Sequence, residues 1–173
     1  CGKSTIIQRL LSVPQVEFSV SATTRPIRDG EVDGVDYHFL SKEEFRLRVE
    51  DGAFIEWAEV YGNLYGTLRA PMEAAIQADR VFLVEIDVQG ALQLRALGEE
   101  GVFVFIAPPS FEELQKRLVG RGTEAVEVIE RRLKKAEDEY RERVKYDHVV
   151  VNDDLDRAVA EVRSLAGIVE ENL

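Results

Sequence analysis

The sequence predicts an α/β fold: a three-layer core of parallel strands covered by helices, with a small β lobe set into it. Three observations lead there. In the second half of the chain, short apolar runs alternate with amphipathic helical stretches, and strand–helix alternation implies right-handed crossovers and a parallel sheet. Those runs are almost uninterruptedly apolar, as in strands buried on both faces. A polar, turn-rich stretch lies ahead of them, with Gly30 and Gly34, whose paired segments fit a β lobe better than a core.

Residues 3–12 (KSTIIQRLLS) carry apolar residues at helical spacing and predict a helix closed by Val13-Pro14. The polar stretch runs from Ser19 to Asp36. Ser41-Lys42-Glu43-Glu44 has capping-box spacing and opens a helix to about Val49. Phe54 to Val60 and Asn63 to Thr67 predict strands joined by a turn at Tyr61-Gly62. Val81 to Asp87 predicts a buried strand, Val88 to Leu97 a helix, Val102 to Ile106 a second buried strand, and Ser110 to Val119 a helix. A charged helical stretch follows over Glu124 to Lys145, then a short strand at His148–Val151 and an amphipathic helix from Leu155 to Glu171. Ligands of open parallel sheets sit beyond the carboxyl ends of strands. Glu85 and Asp87, alternating at such an end and so sharing a face, are therefore expected near chemistry, with a solvent-reaching strand end as the plain alternative.

Composition narrows the classes. The chain has 173 residues, 45% of them hydrophobic, enough for one domain with a core. Lys plus Arg is 22 against 33 Asp plus Glu, and 22 − 33 = −11. That balance argues against a nucleic-acid partner, which needs a basic face, but leaves room for a small anion held by a few focused cations. A single cysteine, Cys1, forbids an internal disulfide and suits a reducing cytoplasm. No apolar run approaches the roughly 20 residues of a membrane span, so no membrane partner is expected.

Two motifs point to phosphate. Gly2-Lys3-Ser4-Thr5 matches the tail of the phosphate loop G-x-x-x-x-G-K-[ST], whose first glycine would fall four residues before Cys1; the first strand and half of that loop are expected ahead of this sequence. In such a loop glycine lets backbone wrap a phosphate, lysine meets its oxygens, the hydroxyl of Ser4 ligates Mg²⁺, and the following helix aims its N-terminus at the anion. Ser21-Ala22-Thr23-Thr24-Arg25-Pro26-Ile27-Arg28 places two arginines three apart beside hydroxyls, with Pro26 stiffening the turn; guanidinium forks suit phosphate oxygens. Read alone, the first run is also an ordinary helix start and the second a solvated loop. Glu56 alone reads as a solvent-facing strand residue beside Trp57. His38 and His148 read as structural.

The runs SATTRPIRDGEVDGVDYHF, FIEWAEVYGNLYGT, EIDVQG, FIAPPS, LVGRGTE and VVVNDDLD, which span nearly the whole chain in order, make it resemble the guanylate kinases. The resemblance implies a P-loop NTPase core over 1–18, 70–119 and 143–173, a GMP-binding lobe over 19–69, and a helical lid over 120–142. It implies Mg²⁺-dependent transfer of the ATP γ-phosphoryl group to GMP, and to dGMP, in purine nucleotide metabolism and GMP recycling. On this resemblance Arg25, Arg28, Tyr37 and Tyr65 hold the GMP phosphate, with Ser21 nearby. Glu56 accepts from guanine N1 and N2, Thr67 beside Gly66 donates to O6, and Asp87 meets the base amino group. Gly2, Lys3, Ser4, Thr5, Arg121 and Asn152 bind ATP. Lys3, Arg25, Arg28, Arg121 and Arg132 carry catalysis, while Ser4, Glu85 and Asp87 attend Mg²⁺, partly through water. Arg131 and Arg143 are expected to be surface charges, and Asp153 or Asp154 to cap the last helix. Closure of lobe and lid would exclude water from the reaction. The alternative is a catalytically inactive guanylate-kinase-like module that binds phosphopeptides; such modules typically lose the phosphate-loop and GMP-site residues retained here.

Overall fold

A computed structural model describes residues 2–119 and 126–168, excepting the side chains of 117–119 and 126–132. In chain order the elements are α1 (Lys3–Leu10), β1 (Val16–Phe18), β2 (Ala22–Thr23), β3 (His38–Phe39), α2 (Lys42–Glu50), β4 (Phe54–Val60) and β5 (Asn63–Leu68). They continue with α3 (Arg69–Gln77), β6 (Val81–Leu83), α4 (Val88–Leu97), β7 (Val104–Ala107), α5 (Phe111–Val119), α6 (Val126–Arg141), β8 (His148–Val151) and α7 (Leu155–Leu165). The chain divides into two compact units, Cys1–Ser12 with Gly101–Leu173, and Val13–Glu100.

In the first unit β7 and β8 pair in parallel, Val104 opposite His148 through Ala107 opposite Val151. α1 packs on α7, and their inward stripes supply the buried Ile6, Leu10, Ala158, Val159 and Val162. Asp154 starts α7 by accepting the Arg157 N–H at 2.9 Å, so it and not Asp153 is the cap. Arg143 differs from the expected surface charge: its guanidinium lies 4.0 Å from the Tyr140 ring centre and donates to the Tyr140 carbonyl.

The second unit carries a parallel pair, β1 with β6, and a four-stranded mixed sheet in the order β3-β2-β5-β4. β4 and β5 form an antiparallel hairpin in which Val60 faces Asn63. Tyr61 and Gly62 between them both have positive φ, 51° and 79°, the backbone of the two-residue turn that matches strand twist. Ser41 caps α2, accepting from the Glu44 N–H, while the Glu44 carboxylate turns instead to Arg48 at 2.7 Å. Phe45 of α2 is fully buried and stacks on Phe54, ring centres 4.4 Å apart, in a core with Ala22 and Leu64.

Two strands are shorter than the sequence predicts. The run from Val81 leaves its ladder after Leu83, whose carbonyl takes the Ser19 N–H as β1 ends, and Asp87 then caps α4 instead of closing a strand. Glu85 and Asp87 are thus not neighbours on one strand face. The next run pairs only from Val104, with Val102 exposed. β1 and α3 were not expected; Pro71 masks α3, yet it stands in the first turn, where a missing N–H does no harm. Replacing Phe45 by Ala should lower unfolding free energy by about 3–5 kcal/mol in denaturant titrations, whereas Leu47→Ala on the exposed side of α2 should change it by less than about 1 kcal/mol.

Candidate active site

The mixed sheet buries a carboxyl group. Register slips between Phe54 and Glu56, leaving Ile55 without a cross-strand partner, and beyond the slip β4 alternates regularly. Glu56 and Ala58 face inward; Trp57 and Glu59 face out. Glu56 is 6% exposed and Trp57 42%, so the solvent-facing reading of Glu56 is wrong. Directly opposite stands Thr67, fully buried, whose hydroxyl donates to Glu56 Oε1 at 2.6 Å. Burial pushes the Glu56 carboxyl above its ordinary value of 4.5; hydrogen bonds from Thr67 pull it down, and the nearby Asp87 charge pushes it up further. Asp87 Oδ1 accepts the Gly90 N–H at 3.0 Å. Gly66 is tightly enclosed as well: a Cβ there would lie 2.8 Å from Phe54 and 3.1 Å from Phe45.

A few residues along the sheet, the arginine loop is organised by an acid that the sequence reading missed. Glu31 takes two parallel hydrogen bonds from Arg25, 2.8 and 2.9 Å, and its Oε2 also accepts the Arg28 backbone N–H at 2.8 Å. Arg25 further donates to the Pro26 carbonyl and stands 5.4 Å from the Tyr37 ring centre and 5.6 Å from that of Phe39. Glu31, first, and Tyr65 hold the guanidinium more firmly charged than usual, and Arg25 with the Arg28 amide holds the Glu31 carboxyl below its ordinary value. Tyr37 and Tyr65 meet edge to face at 6.1 Å. Burial, then Tyr65 and Glu85, raise the Tyr37 phenol. The Arg28 side chain is exposed, and Ser21 contributes its carbonyl to the His38 N–H. The Thr23 and Thr24 hydroxyls serve the fold, bonding the Leu64 backbone.

In the other unit, Gly2 takes the left-handed conformation, φ 81°, at the start of α1. A Cβ on it would lie 2.5 Å from the Asn152 side-chain nitrogen, so the start of α1 and the loop after β8 meet there. Lys3, Ser4 and Thr5 are exposed on the first turn of α1. Asp153 is ion-paired with Arg157. Arg121 and the Arg132 side chain lie outside the described residues.

Known proteins with this sequence and shape are consistent with one another. The guanylate kinase family model matches residues 1–168. The chain belongs to the guanylate kinase family. A guanylate kinase of Syntrophotalea carbinolica is 50% identical over 165 residues, covering 95% of this chain and 79% of that one. One from Symbiobacterium thermophilum is 51% identical over 165 residues, with 95% and 78% covered. The crystal structure of guanylate kinase from Anaplasma phagocytophilum superposes with a TM-score of 0.78 at 37% identity, covering 94% of this chain and 79% of that one. The core accordingly has the P-loop NTPase fold of guanylate kinases.

Within this chain, the structure gathers Glu56, Thr67 and Asp87 in one group and Arg25, Tyr37 and Tyr65 in another. Glu31 and Phe39 join the second group unannounced, although Glu31 lies only three residues from Arg28. The raised Glu56 pKa has a thermodynamic sign. A carboxyl whose folded pKa exceeds its unfolded one lends stability fully below about 4.5, and loses it as pH rises through the folded value. Glu56→Gln should therefore gain on the parent protein as pH rises from 4.5 to 7.5, read as a widening difference between thermal midpoints; a constant difference would contradict the buried, shifted acid.

Proposed function

We propose that this chain catalyses transfer of the ATP γ-phosphoryl group to GMP, giving ADP and GDP, with Glu56 and Thr67 reading guanine. It is a nucleoside monophosphate kinase, with ATP as co-substrate. The observation that carries the base assignment is the fully buried Thr67 hydroxyl on the Glu56 carboxyl, a donor and an acceptor set side by side. A guanine edge offers O6 as acceptor and N1–H with N2–H₂ as donors, matching that pair in both senses. Asp87 is assigned the base amino group beside it, and dGMP is accepted as well, since none of these contacts involves the ribose.

The GMP phosphate falls to Arg25, Arg28, Tyr37 and Tyr65, with Ser21 and Gly66 shaping the lobe over 19–69. Arg25 supports this role because its guanidinium is already fixed by Glu31 and two aromatic rings, so little of its freedom is lost when phosphate arrives. On the donor side Gly2, Lys3, Ser4, Thr5 and Asn152 bind ATP, joined by Arg121; Arg121 and Arg132 belong to a lid over 120–142, and 1–18, 70–119 and 143–173 form the core. Phosphoryl transfer asks the protein for in-line positioning and charge compensation, and the GMP phosphate, already anionic, needs no general base.

Mg²⁺ fits the residues at hand. Ser4 offers one hard hydroxyl oxygen on the exposed first turn of α1, and among the described residues no group of three or more His, Cys, Asp or Glu could cage a metal. This suits an ion that keeps several waters and binds through substrate phosphates. When bound, Mg²⁺ would neutralise charge on the transferred group. Among the described residues no helix is long and apolar enough to cross a membrane, and we assign the enzyme to the cytoplasm. The phosphopeptide-module alternative has no observation of its own in its favour.

The deciding assay supplies ATP, Mg²⁺ and either GMP or AMP and measures diphosphate formed. Product from GMP alone supports the reading, and comparable turnover of AMP overturns the base assignment. Arg28→Ala should reduce kcat/KM for GMP at least about tenfold, equivalent to roughly 1.5–3 kcal/mol for a charge-assisted contact. Unchanged kinetics would remove Arg28 from the phosphate site.

A further inference from the structure

Gly90 is the third residue of α4, a position where the helix itself has no need of glycine. Its backbone is not left-handed, and alanine is the better helix former. What surrounds it does require the absence of a side chain. A Cβ built on Gly90 would lie 2.6 Å from Glu56 Oε2, 3.1 Å from the Glu56 carboxyl carbon and 3.3 Å from the Ile86 Cβ. The same residue donates its N–H to Asp87 Oδ1 at 3.0 Å. One glycine thus serves both acids assigned to the base: its amide fixes Asp87, and its bare Cα makes the room into which Glu56 settles. α4 and β4 are packed together, and the Gln93 side chain accepts from the Trp57 N–H, so the helix is held against the strand beside the carboxyl.

We propose that Gly90 is a specificity-determining position, where the missing side chain lets Glu56 seat its carboxyl against the first turn of α4 in the orientation that reads guanine. The proposal rests on the assignment of Glu56 to the base. A methyl group at 90 leaves the Asp87 hydrogen bond available, because the amide is unchanged, and falls hardest on the Glu56 carboxyl at 2.6 Å, with the looser contact to the Ile86 Cβ at 3.3 Å. The carboxyl would swing off the line that accepts from N1 and N2 together, while the phosphate contacts and the donor side stay as they were. The loss should accordingly appear in recognition of the base and not in the transfer step.

The experiment compares the parent chain with Gly90→Ala, Glu56→Gln, Glu56→Asp and the double variant Gly90→Ala/Glu56→Asp, using GMP and AMP as acceptors. In Gly90→Ala, KM for GMP should rise at least about tenfold with kcat within about threefold, and the preference for GMP over AMP should fall about as much as KM rises. Aspartate is shorter by one methylene and withdraws the carboxyl from α4. In the Glu56→Asp background the same alanine should therefore raise KM for GMP by less than about threefold, a coupling that general damage to the helix would not produce. Unchanged GMP preference in Gly90→Ala, alongside a loss in Glu56→Gln, overturns the role of Gly90. Unchanged preference in Glu56→Gln overturns the base assignment itself. If Gly90→Ala does not fold, rescue of folding by Glu56→Asp supports the contact, and failure of rescue reduces the glycine to a packing requirement and ends the proposal.

Discussion

A carboxyl group taken out of water constrains the mixed sheet more than any other single feature. Removing a carboxylate from solvent is unfavourable by several kcal/mol unless hydrogen bonds replace what water supplied. Glu56 is held in that condition by a chain of local decisions. The register slip between Phe54 and Glu56 brings Thr67 directly opposite, and the turn at Tyr61-Gly62 fixes that register. The Phe45–Phe54 stack fills the opposite face of the sheet, where Gly66 lets both rings approach. On the other side Gly90 leaves space for the second oxygen. An apolar residue at 56 would suit the sheet's stability better, so the acid fits the recognition proposed for it more than a role in support.

At the end of the lobe proposed for phosphate the problem is reversed. A loop of exposed residues must hold cations still while keeping them in reach of solvent. Glu31 does so by taking two donors of Arg25 and the backbone N–H of Arg28, tying both positions to one carboxylate. Tyr37 and Phe39 close on the guanidinium from the side. Arginine presents five N–H donors, so pairing with Glu31 and the Pro26 carbonyl leaves others for a phosphate. The ion pair acts as a brace that fixes where the remaining donors point.

Much of this was legible in the sequence because it depends on period and on punctuation. The hairpin, its turn residues, the α2 cap and the β8 strand follow from alternation and from glycine and serine placement. What failed has definable causes. Val81–Asp87 is apolar nearly to its end, but the ladder stops where the chain after β1 leaves for β2 of the mixed sheet, which no property of residues 81–87 announces. α3 was missed because Pro71 reads as a breaker until its first-turn position is known. Glu56 carried a signal that went unread: in FIEWAEV it occupies the same phase as Phe54 and Ala58, and a charged residue in the apolar phase of a strand is either a fault or a function. Gly90 acts through its contact with Glu56 in a distant segment, which spacing does not reveal, and Glu31, close to Arg25 and Arg28 in the chain, looks like any other loop acid until the turn folds back on it.

The hydrogen bond between Thr67 and Glu56 also bears on how the proposed site would choose its base. A hydroxyl has one proton to give, and here Glu56 receives it. If guanine enters, its N1–H and N2–H₂ can take over as donors to the carboxyl, and the released hydroxyl can turn to O6. Hydrogen bonds are exchanged with no partner left bare, and the buried acid gains donors that favour its charged form. Adenine offers a lone pair at N1 and an amino donor where O6 would be. It can neither relieve Thr67 of its duty nor accept from it, so entry leaves the carboxyl facing a lone pair in a site without water. Unpaired buried polar groups of this kind support discrimination on the order of 10⁴. The pair therefore satisfies its own buried polar groups with the same donor and acceptor that it would use on the substrate.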